Sequence, residues 1–173
     1  MSEFETYAHE FLHKAEKQYP APFQVEYDYT CCDKVFPMMA GYESRDPRYL
    51  FGIKSSISQD TICGEKCFFD ICETLDEQKL EQYTALFKRL QDECVPCKEP
   101  AHEFTLISFV LCTNEVDRSI EKKIKRIRDS RRYKKDKYGW SELRLCVVDL
   151  SSNKYICNRM GKAVVECLTR EIN

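Results

Sequence analysis

Residues Phe104 to Thr113 read FTLISFVLCT, a stretch nearly continuous in apolar side chains. A strand with one solvated face alternates apolar and polar residues. A continuous apolar run belongs instead in the middle of a sheet, buried on both faces. Leu143 to Leu150 repeats the pattern and is a second central strand. Phe104, Leu106, Ile107, Phe109, Val110, Leu143, Leu145, Val147 and Val148 are therefore the expected core, each contributing about 1.5–3 kcal/mol on burial. The 173 residues suffice to bury such a core, and 1–173 reads as one globular domain.

The remaining elements follow from caps, spacing and turn residues. Ser2 and Glu5 form a capping box, and Phe4, Ala8, Phe11, Leu12 and Ala15 follow at helical spacing until Pro20 and Pro22. Strand candidates are Phe23 to Thr30, which alternates, then Val35 to Tyr42, Tyr49 to Ile57 and Lys66 to Glu73. A helix is expected from Asp76 to Cys94, with Thr74 and Glu77 able to cap it. A second, basic helix is expected from a cap at Asn114 to about Arg131. Lys154 to Asn158 returns as a hairpin partner of the strand at 143–150. The last element, Ala163 to Arg170, fits helix or strand. The order predicts an α+β (mixed α/β) fold, a mixed and mostly antiparallel sheet with helices packed mainly on one side.

Charge is distributed very unevenly. Residues 117 to 137 hold eleven Lys or Arg against four acids, a formal +7. The rest of the chain carries 16 basic and 25 acidic residues, a formal −9. Val116, Ile120, Ile124 and Ile127 form a narrow stripe that must face the sheet. Arg118, Lys122, Lys123, Lys125, Arg126 and Arg128 cover the rest of the circumference. Arg131, Arg132, Lys134, Lys135 and Lys137 extend the patch, with Tyr133, Tyr138 and Trp140 interleaved. Such a surface attracts polyanions or acidic protein surfaces, a second copy of the chain included, and aromatics among cations suit nucleic-acid stacking. The bland alternative is a solvated face whose Lys and Arg stems cover apolar surface.

Three other patterns suggest chemistry. His9-Glu10-Phe11-Leu12-His13 matches HExxH, which in a metalloprotease supplies two zinc ligands and a general base. The helical period, however, places His9 and His13 opposite the apolar stripe, toward solvent. Cys94 and Cys97 form a CxxC, and with Cys63 and Cys67 would give four thiolates for zinc. Its position at the end of a helix is the wrong pole for a reactive thiolate. Carboxylates near strand ends (Glu26, Asp28, Asp70, Glu73, Glu142, Asp149), with Lys66 or Arg144, suggest a nuclease-like cluster. Five glycines, none clustered, provide no phosphate loop. The expectation is no cofactor, no bound metal and no catalytic residue.

Eleven cysteines, an odd count without a secretion signal, argue against a disulfide framework and for a reducing cytoplasm. No apolar run approaches the ~20 residues of a membrane span, so no membrane partner is expected. Ala101-His102-Glu103-Phe104-Thr105, the basic segment, Lys134-Lys135-Asp136-Lys137-Tyr138-Gly139-Trp140 and Asn158-Arg159-Met160-Gly161-Lys162 follow one another in an order that resembles a family of small prokaryotic cytoplasmic proteins of unknown function. The resemblance covers about residues 40 to 165, leaves His9 to His13 outside, and implies no activity. The expected function is a non-enzymatic binding protein acting through segment 118–137. A zinc hydrolase through His9 and His13 and a carboxylate nuclease are the alternatives.

Overall fold

The computed structural model describes residues 2–47, 60–135 and 137–171. In chain order the elements are α1 (Glu3–Glu16), β1 (Gln24–Cys31), β2 (Lys34–Pro47), β3 (Asp60–Ile71), β4 (Thr74–Leu75), α2 (Glu77–Cys94), β5 (His102–Thr113) and β6 (Glu115–Val116). One 3-10 turn (Arg118–Ile120) leads into α3 (Glu121–Arg126), followed by β7 (Ser130–Arg132), β8 (Trp140–Asp149), β9 (Lys154–Cys157) and α4 (Lys162–Leu168). The expected strand at 49–57 lies outside the described residues. Among the described residues, no helix is long and apolar enough to cross a membrane.

The main sheet runs β1-β2-β3-β5-β8-β7, with β9 also on β8. β1, β2 and β3 form an antiparallel meander. β3, β5 and β8 are parallel, and β7 and β9 pair antiparallel with β8. The fold is α+β with a mixed sheet, as the element order predicts. β5 and β8 lie at its centre, and Leu106 to Cys112 and Leu143 are buried, as are Leu145 to Val148. Phe104 is only half-buried and stacks on Trp140.

The helices do not gather on one side. α2, the 3-10 turn and α3 cover one face, over Phe68, Ile107, Phe109, Leu145 and Val147. α1 and α4 cover the other, over Cys67, Phe69, Val110, Cys146 and Val148. The crossovers β3→β5 and β5→β8 step in the same direction, and right-handed crossovers then place their helices on one face. The opposite face of the same apolar strands still needs cover. The terminal helices supply it.

Two caps differ from expectation. The Ser2–Glu5 capping box on α1 is present. On α2 the capping side chain is Asp76, which accepts from the Lys79 backbone N–H. The long basic helix is absent: Asp117 caps a single 3-10 turn, and α3 has six residues. The apolar stripe nevertheless faces inward, with Val116, Ile120 and Ile124 buried and Ile127 packed on the core. The helix stops because sheet edges claim its flanks. Val116 pairs with Leu75, and Ser130 to Arg132 pair with Trp140 to Glu142.

β8 needs an outer partner along its whole length, and β7 and β9 supply only part of one. β7 reaches residues 140–142 and β9 reaches 146–149. The backbone between them is satisfied otherwise. Leu143 N–H donates to Asp129 O at 3.0 Å. The Asn158 amide then acts as a stand-in peptide. Its Oδ1 accepts from Leu145 N–H at 3.0 Å and Gly161 N–H at 2.7 Å, and its Nδ2 donates to Leu143 O and Ile127 O, both at 3.1 Å. Asn158 is 1% exposed.

Candidate anion-binding surface

The crossover from β5 to β8 must return from the carboxyl end of one strand to the amino end of the next. Segment 118–137 therefore travels the length of the sheet along its β8 edge, about 30 Å for the ten residues of β8. Arg118 lies in the 3-10 turn, Lys122, Lys125 and Arg126 on α3, and Arg128 just beyond it. All five are exposed, and none forms an ion pair with another described residue. Lys123, by contrast, reaches Glu77 on α2. Glu121 is engaged by Lys154 at 2.6 Å, and that bond holds its carboxyl below the ordinary range.

The far end of the segment is built differently. Arg131 is three-quarters buried and clamped by Asp129 at 2.9 Å, by Asp92 and by the Lys88 carbonyl at 3.3 Å. These partners, Asp129 first, hold the guanidinium firmly charged. Arg131 thus fastens β7 to α2 and offers little charge to a ligand. Arg132 is exposed but engaged within the chain. Lys134 and Lys135 turn the β7–β8 connection at positive φ, and both are exposed. Lys134 donates to Tyr138 Oη at 2.7 Å, with its ammonium 4.4 Å from the ring centre.

Of the three aromatics only Tyr138 lies against a cation, Lys134. Tyr133 turns inward, where burial raises its phenol pKa, and its hydroxyl lies 2.6 Å from Ser141 Oγ. Ser141 in turn bonds Gln91, whose Nε2 donates to Asp129 O at 2.7 Å. Trp140 stacks on Phe104 at 5.4 Å and projects from the α1/α4 face, opposite α3. Gly139 closes this turn at φ +72, and a Cβ there would lie 2.2 Å from Glu103 O. The surface around α3 is one of charge rather than of stacking.

The other sequence candidates separate in space. His9 and His13 are exposed; His13 faces Tyr27 Oη at 3.3 Å and Glu16 at 3.9 Å. Among the described residues neither belongs to a group of three metal-ligating side chains. Cys67 is buried beneath α1, whereas Cys94 and Cys97 pack on the α2 side, so the sheet divides the four-thiolate set. Cys63 bonds Glu103 at 3.7 Å. Asp70 pairs with Lys34 at 2.8 Å and accepts from Tyr83 on the α2 side. Arg144 faces the other side, 3.7 Å from Glu65, and Asp149 caps its own turn at Ser151 and Ser152. The strand-end carboxylates do not assemble.

One grouping escaped the sequence. Cys31 Sγ lies 3.7 Å from Cys32 Sγ and 3.5 Å from Cys94 Sγ. The visible signal was a Cys-Cys-Asp at the end of an alternating strand.

A family model described as Domain of unknown function (DUF8052) matches residues 8–170. The chain belongs to the DUF8052 family. The match begins well before residue 40, where the sequence resemblance starts, so His9 and His13 lie within the DUF8052 region. Their exposure on α1, not their position outside the family, is what counts against a zinc centre. No curated protein and no solved structure matches the chain.

Proposed function

We propose that this DUF8052 protein is a cytoplasmic binding protein, not an enzyme, and that its ligand is a polyanion held along the β8 edge. The observation that carries this reading is the set of five exposed cations, Arg118, Lys122, Lys125, Arg126 and Arg128, without ion-pair partners among the described residues. Nearby carboxylates are engaged elsewhere: Glu121 by Lys154, Glu77 by Lys123, and Asp129 by Arg131. Lys135 and Lys137 extend the strip past β7. With Tyr133 and Trp140 turned away from α3, recognition rests on backbone phosphates and is indifferent to base sequence. Eleven free thiols suit a reducing compartment.

Neutralising five phosphates of a DNA duplex gives a log–log salt slope of about −4.5, from ~0.9 per phosphate. The test is fluorescence anisotropy with a short random-sequence duplex across a salt series. Lys122→Glu, Lys125→Glu and Arg126→Glu together should remove binding and leave the thermal midpoint unchanged. Arg131 is left intact, because reversing it would unfasten β7. A wild-type chain that ignores the duplex and stays monomeric at low salt sinks the proposal. A low-salt dimer dispersed by the triple variant would assign the strip to an acidic face of a second copy.

A further inference from the structure

We propose that Cys31, Cys32 and Cys94, together with the Glu93 carboxylate, form a binding site for a thiophilic divalent cation of the zinc type. The site sits where the β1–β2 turn meets the carboxyl end of α2, away from the basic strip. Neighbouring residues of a strand point to opposite faces, so adjacent cysteines do not ordinarily share a ligand. Here the two-residue β1–β2 turn changes that. Cys32 and Asp33 both have positive φ, 54° and 58°, the pattern of a type I′ turn. Asn-Gly or Asp-Gly normally fills such a turn, and a Cys in that conformation is strained. The turn swings the Cys32 sulfur back beside that of Cys31.

The spacing suits a metal. Two sulfurs at ~2.3 Å from a tetrahedral zinc stand about 3.8 Å apart. Cys31 lies 3.7 Å from Cys32 and 3.5 Å from Cys94. The sulfurs of Cys31 and Cys32 and a carboxylate oxygen of Glu93 all fall within 4.8 Å of one another. Cys94 lies outside that mutual group and meets it through Cys31 alone, so its sulfur must swing in from the Cys31 side to complete a three-sulfur, one-oxygen set.

The surroundings favour a cation as well. Glu93 and Cys94 end α2 at its negative pole, and the last turn of α2 contains no basic residue. Arg89 reaches Glu93 at 3.5 Å and Asp33 at 2.8 Å, and it keeps the Asp33 partner if Glu93 turns to a metal. Lys66 lies near enough to favour the Cys94 thiolate. Three thiolates and a carboxylate on a divalent ion carry a net −2, which Arg89 and Lys66 offset. Without metal, burial first and then the neighbouring sulfur push Cys32 up strongly, and burial takes Cys94 up to about 12. Binding replaces three S–H protons by three metal–sulfur bonds, releases the protons and transfers no electrons.

Cobalt(II) tests the site, since tetrahedral thiolate coordination gives an intense visible spectrum. The full chain, reduced, stripped of metal and without a His tag, should bind one cobalt, which zinc then displaces. Loss of an outer-shell partner commonly weakens a metal site 10–100-fold, so loss of a ligand should exceed about 100-fold. Cys31→Ser and Cys94→Ser should each show that loss, whereas Cys97→Ser and Cys72→Ser should bind like wild type. Circular dichroism monitors the fold. Should Cys31→Ser unfold, Cys94→Ser and Glu93→Gln at the helix end decide the matter. A wild-type chain without the thiolate spectrum overturns the proposal. So does equal binding by a folded Cys31→Ser or Cys94→Ser chain, or loss of binding in Cys97→Ser.

Discussion

Replacing Asn158 by Ala removes the side chain that closes the edge of β8. Four hydrogen bonds go with it: those from Leu145 N–H and Gly161 N–H, and those to Leu143 O and Ile127 O. At roughly 1 kcal/mol each the loss is about 4 kcal/mol, before any penalty for leaving the groups dry. That is a large part of the ~5–15 kcal/mol that holds a domain folded. For a chain of this length 1 kcal/mol moves the midpoint by about 2–4 °C, so the variant should melt ~8–16 °C below wild type. Asn158→Asp should fare no better, because it keeps the acceptor oxygens, loses both donors and buries a charge. Thermal and urea unfolding followed by circular dichroism measure the difference. An Asn158→Ala chain melting within about 3 °C of wild type would mean that water replaces the amide without cost, and would refute the reasoning.

Two further substitutions probe the frame of the basic strip. The Lys154 hydrogen bond depresses the Glu121 carboxyl. Its stabilisation is therefore present above the ordinary value near ~4.3 and lost as pH falls through the depressed one. The gap in thermal midpoint between wild type and Lys154→Met should be widest near neutrality and narrow as the pH falls below the ordinary carboxylate value; a gap unchanged in acid would exclude the ion pair as its cause. Gly139→Ala adds a Cβ 2.2 Å from Glu103 O at φ +72 and should cost at least about 1–3 kcal/mol; an alanine variant as stable as wild type would contradict the turn geometry.

The continuous apolar runs placed β5 and β8 correctly because burial on both faces is written in every residue of the strand. The same runs implied cover on both faces, which the expectation of one-sided helices overlooked. The capping box at Ser2 was legible because capping is local. The length of the basic helix was not, since its end depends on Ser130 to Arg132 finding the edge of β8, a choice made by residues eight and more positions downstream. The inward turn of Tyr133 and the clamping of Arg131 follow from that same pairing. The exposed cations at 118–128 were legible, because the stripe Val116–Ile127 fixes which side faces water at either helix length. The cysteine cluster joins residues 63 positions apart through a turn whose φ values a Cys-Asp pair does not announce.

The piecewise closure of β8 bears on how the sheet meets other chains. With β7, Asn158 and β9 covering that border, and β7 and β9 themselves only three and four residues long, the eight-residue outer side of β1 is the longest edge among the described residues where a foreign strand would add. That border is poorly suited to accept one. Exposed Glu26 and Asp28 lie along it, and Asp28, at φ 52, interrupts the pairing register between Tyr27 and Tyr29. Charge and a local kink on an edge strand are devices that discourage edge-to-edge growth. At high concentration the folded chain should therefore resist fibre formation, and uncapping the β8 border should do more to invite it than any change to surface apolar residues.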